Sequence, residues 1–150
     1  MATTTEISKL TSSLADTQYD FDPDGTTATD VAWVDMQEFE SILFAFFRTV
    51  GTSDITVQVL ANSQSNGGGT DVVVKSLSNS DLGDPDAVGD TTFVEVTAAQ
   101  IAAEAAKAGV KVARYVSLNV AFATGTDEAV ITYIRGLGNG RASLTARKIA

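Results

Sequence analysis

Residues 39–50, FESILFAFFRTV, decide the fold. They are rich in aromatic and β-branched side chains and run into the turn-former Gly51, which is the composition of a strand. Side chains alternate across a strand, so Leu43, Ala45 and Phe47 point one way while Ile42, Phe44 and Phe46 point the other. Both faces are therefore apolar at mid-strand. Such a strand is either sandwiched between two layers or has one face covered by another subunit. In the second case Ile42, Phe44 and Phe46 are the candidate residues of an oligomer or shell interface.

Outward from this strand, residues 31–36 (VAWVDM) read as a strand that precedes it. Residues 54–61 (DITVQVLA) alternate cleanly, with Ile55, Val57 and Val59 on one face, as a half-buried strand does. The tract NSQSNGGGT (62–70) is expected to be a flexible polar loop with a mobile glycine tip. A short strand resumes at 72–74, followed by the acidic loop SLSNSDLGDPDAVGD. Residues 92–96 (TFVEV) then alternate into Thr97-Ala98-Ala99-Gln100. That Thr-x-x-Gln is a capping box, and it opens a helix over about 98–108 that Gly109 ends. The last third reads as a β-hairpin, with 110–122 and 129–134 flanking the turn Thr124-Gly125-Thr126-Asp127. In it Val112, Val116, Leu118, Val120 and Phe122 share a face, and Arg114 is the one polar intruder.

Two ends stand apart. Residues 1–16 are rich in Thr and Ser, with Ile7, Leu10 and Leu14 as their large apolar residues, and read as an arm; the i, i+3, i+7 spacing of those three leaves a short amphipathic helix open. Residues 139–150 are polar and basic and read as a second arm. Between them, residues 17–138 form one domain, which suits a chain of 150 residues. The segment QYDFDPDGTTATD (18–30) reads as a turn built on Pro23-Asp24-Gly25, with the first strand after it. The expected fold is mainly β: an antiparallel β-sandwich or jelly-roll-like domain with one short α-helix and extended N- and C-terminal arms.

Composition narrows function. The net charge of −9 opposes binding to nucleic acid or to anionic membrane surfaces. The basic residues Arg141, Arg147 and Lys148 cluster at the C-terminus, as Asp residues cluster early, so a basic tail is a candidate for docking on an acidic partner surface. There is no cysteine and no histidine, which removes thiol nucleophiles, disulfides, Ser-His-Asp catalysis and the commonest metal ligands. No start resembles a secretory signal, and the longest apolar run, residues 42–47, is too short to cross a bilayer. Synthesis in a cytoplasm is the expectation.

The remaining motifs are weak. Asp20, Asp22 and Asp24 before Gly25 match the first half of a calcium loop, but its twelfth position is Val31 where a bidentate Glu belongs. The glycine tracts at 67–69 and 136–140 lack the Lys-Ser/Thr and the strand-to-helix setting of a phosphate cradle. Glu40 is the one carboxylate on an apolar strand. Trp33 with Phe44, Phe46 and Phe47 makes a possible sugar platform, yet aromatic residues at strand spacing usually form core. No cofactor is expected, and the chain reads as a non-enzyme.

The order of parts is a strand pair VAWVDMQEFESILFAFFRTVG, the ITVQVLAN strand with its polar loop, the helix TAAQIAAEAAKAG, and VARYVSLNVAFATGTDEAVITYIRGLG closing the domain. With an acidic, low-charge, cysteine-free composition, this resembles the small virion proteins of tailed bacteriophages, and among them the head decoration (cement) proteins. The resemblance covers most of residues 30–138 and rests on pattern and composition, so no single residue role is carried over. It implies a homo-oligomer, often a trimer, made in the host cytoplasm and bound to the major capsid protein on the outer capsid surface. A tail, fibre or head–tail connector component is the alternative, and a carbohydrate- or ligand-binding β-module is a second one.

Overall fold

The computed structural model describes residues 18–21, 29–30 and 33–136. Both arms, 1–16 and 139–150, lie outside the described residues. The chain forms strands β1 (Gln18–Phe21), β2 (Thr29–Asp30), β3 (Val34–Asp35), β4 (Ser41–Val50), β5 (Ile55–Asn62), β6 (Val72–Leu77), β7 (Thr91–Thr97), β8 (Tyr115–Phe122) and β9 (Glu128–Gly136). Among the described residues one α-helix, α1 (Ala98–Lys107), and a short 3-10 turn, Ser80–Leu82, accompany the strands.

The strands make two antiparallel sheets, in the orders β1-β9-β4-β7 and β2-β8-β5-β6, with β3 also on β8. Successive strands change sheet at nearly every connection; β5 and β6 are the exception, a hairpin within one sheet. With β2 and β3 counted as one interrupted strand, this is the double-sheet jelly-roll arrangement of eight strands. The jelly-roll-like sandwich with one helix is thus the fold.

The core lies between the sheets. Ile42, Phe44 and Phe46 of β4 meet Ile55, Val57 and Val59 of β5, Val116, Leu118 and Val120 of β8, and Ile131 of β9, each at most 1% exposed. Phe44 packs edge-on to Tyr133, and Phe46 tilts against Phe122. Strand periodicity accounts for this: buried residues alternate with more exposed ones along β7, along most of β4 and β9, and over residues 55–59 of β5. Helix α1 adds Ile101 and Ala105 to the same core. Its capping box is present as expected, with the Gln100 amide donating to the Thr97 hydroxyl and the Thr97 amide donating to the Gln100 side chain. Gly109 follows with φ of +72°.

Four local expectations need correction. The segment 18–30 is more than a turn, because Gln18–Phe21 pairs with β9 and Thr29–Asp30 pairs with β8. β8 and β9 are not a hairpin: they sit in different sheets, and the turn at 123–127 carries the chain across the sandwich. Its anchor is Asp127, which is buried against Arg48 rather than left at a solvated turn tip. β8 also starts only at Tyr115, so Val112 is 61% exposed in the preceding loop. The polar loop after β5 is folded on a buried Asn62, whose Oδ1 accepts from the amides of Gln64 and Gly69 and whose amide nitrogen donates to Asp71. Gly67 there lies so close to the Trp33 indole that a Cβ would come within 2.4 Å of its Nε1.

Candidate interaction surface

The outer face of the β1-β9-β4-β7 sheet is where the apolar character of β4 reappears. Register places Leu43 between Glu95 and Ile134, Ala45 between Phe93 and Thr132, and Phe47 between Thr91 and Val130. Residues paired across strands share a face, so these side chains all point away from the core. Phe47 is 48% and Phe93 61% exposed, while Leu43, Ala45, Val130 and Ile134 are half-buried. Glu95 and Glu128 are the ionisable groups on this face among the described residues of β4, β7 and β9. The result is a contiguous apolar strip flanked by carboxylates, Glu95, Glu128 and, at the β1 position paired with Val130, Asp20.

This reverses one expectation. Ile42, Phe44 and Phe46 are 0–1% exposed within the chain's own core, so they cannot present an interface. Their neighbours on the opposite face hold that position instead. Of the other expected site residues, Asp20 lies on β1, whereas Asp22, Asp24, Arg141, Arg147 and Lys148 lie outside the described residues. Glu40 is exposed, and its backbone amide and carbonyl link Gly136 to Ala98. Among the described residues no group of three or more Asp and Glu is placed to hold a metal ion.

Two arginine–aspartate clusters close the ends of the sandwich. At one end Arg48 is fully buried, and its Nη1 donates to Asp127 Oδ2 at 3.0 Å while Nη2 donates to the Ser53 carbonyl. Asp127 Oδ2 also accepts from the Ser53 amide at 2.8 Å and hydroxyl at 2.6 Å, and its Oδ1 accepts from Thr124 at 2.8 Å. Burial pushes this carboxyl up, but the Ser53 hydroxyl and amide, the Thr124 hydroxyl and Arg48 outweigh it and hold it below the ordinary carboxylate value. The Arg48 guanidinium lies 5.4 Å from the Phe122 ring centre. Gly51 completes the cluster: its φ is +86°, and a Cβ there would sit 2.0 Å from the Asp127 carboxyl.

At the other end Arg114 holds Asp35 through Nε at 2.6 Å and through Nη2, with about a third of each side chain exposed. The Arg114 hydrogen bond lowers the Asp35 carboxyl, against burial and with help from the Gln37 amide. Beside them Arg135 donates to the Asp35 carbonyl and stacks 4.2 Å over the Phe39 ring. A groove of about 410 Å³ opens next to this cluster, between α1 and the loop 108–114, lined by Met36, Ala98, Ala102, Val110 and Ala113. No helix among the described residues is long and apolar enough to cross a membrane.

No family model matches the chain, and no curated protein matches it. Among solved structures it is similar to a chain from the Bacillus endospore appendages, described as a novel family of disulfide-linked pili. The identity is 14% and the TM-score 0.46, over 81% of this chain and 83% of that one. This chain has no cysteine with which to make such a link.

Proposed function

We propose that this chain is a non-enzymatic structural protein that assembles through the outer face of the β1-β9-β4-β7 sheet. Its setting, on this reading, is the outer surface of a phage capsid, where trimers of the chain clamp neighbouring copies of the major capsid protein. The observation that carries the proposal is the exposed strip centred on Phe47 and Phe93. A phenylalanine buries about 150–250 Å² when fully covered, so these two leave roughly 200 Å² to be buried. Covering it contributes about 5 kcal/mol, at the low end of the roughly 4–15 kcal/mol that association costs. Leu43, Val130 and Ile134 must therefore join the contact. The row Phe93, Ala45 and Thr132, which carries no charge, supports a protein partner, because it is where another acidic chain can approach with least repulsion.

The test is light scattering on the purified protein, paired with co-sedimentation on capsid shells stripped of surface proteins. Oligomers and shell binding are expected for the native chain, and Phe47→Ser with Phe93→Ser should abolish both while leaving the fold intact. A monomer that ignores shells, or a double variant that assembles as the native chain does, would overturn the proposal.

A further inference from the structure

The groove beside α1 caps the Arg114 end of the sandwich. Helix α1 leaves β7 at Thr97, and the loop after it enters β8 at Tyr115. Both residues sit at that end: Thr97 pairs with Ser41 and Ser41 with Gly136, while the neighbouring Arg135 bonds Asp35, the partner of Tyr115. The groove floor is Met36, Ile101 and Ala105, all buried, and its α1 wall is Ala98, Ala102 and Ala106, small side chains that let another backbone come close. Its charged lining is cationic: Arg114, shared with Asp35, and Lys111, which makes no ion pair among the described residues. An apolar knob with carboxylates beside it matches this lining.

The chain carries such a knob at its other end. The connection from β6 to β7 finishes in a turn over residues 87–90, closed by the Asp90 amide donating to the Ala87 carbonyl at 3.0 Å, with Gly89 at φ of +94°. Two more bonds fix the turn to β4: the Gly89 amide donates to the Arg48 carbonyl at 2.9 Å, and the Arg48 amide donates to the Asp90 carbonyl at 3.0 Å. Val88 at the tip is nevertheless 62% exposed, and Asp84 and Asp86 just before it are exposed too. We propose that Val88 of one copy seats in the α1 groove of a second copy, with Asp86 of the first beside Lys111 of the second. Charge complementarity carries the choice of occupant: a cationic rim on an acidic protein meets the carboxylates that flank an exposed apolar tip. The tip is already held in shape, so seating it costs little ordering. A copy cannot fill its own groove, because the seven residues of β7 separate the turn from α1 by about 20 Å. Donor and acceptor surfaces differ and lie at opposite ends, so the contact is head-to-tail and its repetition builds a ring or a filament. It uses neither Phe47 nor Phe93 and stands apart from the strip.

The chain has no cysteine, so single-cysteine variants bridge only between copies. Full-length Val88→Cys protein is mixed with Ala102→Cys protein, exposed in the groove wall, or with Ser76→Cys protein, exposed on β6 and outside the groove lining. Each mixture is treated with oxidised glutathione at low salt, and the bridged peptides are counted by mass spectrometry. The bridge from 88 to 102 should form at least about tenfold faster than that from 88 to 76, because seating raises local concentration above that of chance collision. Lys111→Glu in the Ala102→Cys chain should slow it several-fold, and Asp86→Lys in the Val88→Cys chain should restore it. The same ratio is expected in chains that also carry Phe47→Ser and Phe93→Ser, so failure of the strip and failure of this contact are read separately. Equal rates at 102 and 76 would overturn the proposal, and so would a bridge to 102 that is indifferent to Lys111→Glu.

Discussion

Arg48–Asp127 and Arg114–Asp35 set the same two groups together at opposite ends of one sandwich, and burial separates them. The first pair is sealed from water, with side chains 0% and 3% exposed; the second keeps 36% and 37% of its side chains in solvent. A sealed pair has surrendered its hydration, so removing one partner strands the other charge. A half-exposed pair falls back on water when broken. The difference teaches that the turns at 51–54 and 123–127 are held by an interaction that must be complete, whereas the Arg114 end is held by one that is dispensable.

The largest expected effect follows directly. Asp127→Ala should destabilise the protein by about 3–5 kcal/mol, lowering the melting temperature by roughly 10 °C in calorimetry. Replacing both partners, Arg48→Met with Asp127→Leu, should recover more than half of that loss. A double variant no better than the single one would mean that the cluster works through the Ser53 and Thr124 hydrogen bonds alone.

Acid sharpens the comparison. Both carboxyls sit below their ordinary value of 3.8, so the unfolded chain binds their protons more readily than the folded one. Their contribution is complete above pH 3.8 and is lost as pH falls through the lower folded values. Urea denaturation at a series of pH values below 4 should show stability falling, and the fall should be shallower in Asp127→Ala.

Smaller still is Arg114→Ala, expected to shift melting by roughly 2 °C or less and to lose even that in high salt. A large shift there would break the comparison. Phe93→Ser should leave the monomer's stability within about 0.5 kcal/mol in a urea titration, because its ring is already in water.

How much of this the sequence carried depends on the range of the signal. The alternation expected over residues 54–61 and the Thr97/Gln100 capping box are local patterns; the structure reproduces the box and the alternation of residues 55–59, while Leu60 and Ala61 are both buried beside a register shift. The two-faced β4 was legible as well, but not which face was core. Ile-Phe-Phe and Leu-Ala-Phe are both apolar, and the decision belongs to cross-strand neighbours: β5 and β8 offer Val and Ile to the bulkier set, while β7 and β9 place Phe93, Thr132 and Val130 beside the other. Val130 and Ile134 alternate with buried Ile131 and Tyr133, and that half-polar strand was the available clue to the outer strip. The turn at 124–127 misled because Thr-Gly-Thr-Asp has the chemistry of a hairpin, whereas its partner Arg48 is 79 residues away. Strands of two to four residues, such as β1 and β2, are too short for periodicity to register at all.

The place of β9 in its sheet carries one more consequence. The last described strand of the chain is not at an edge; it lies between the first strand and β4, and supplies the ladder to both. During synthesis, the sheet that bears the apolar strip cannot be assembled until residue 136 has left the ribosome. Until then β4 has no partner on that side and its Phe-rich surfaces have nothing to close on, a slow, non-local closing step of the kind that invites chaperone capture or premature association. The order of translation thus withholds the finished surface until β9 itself has emerged.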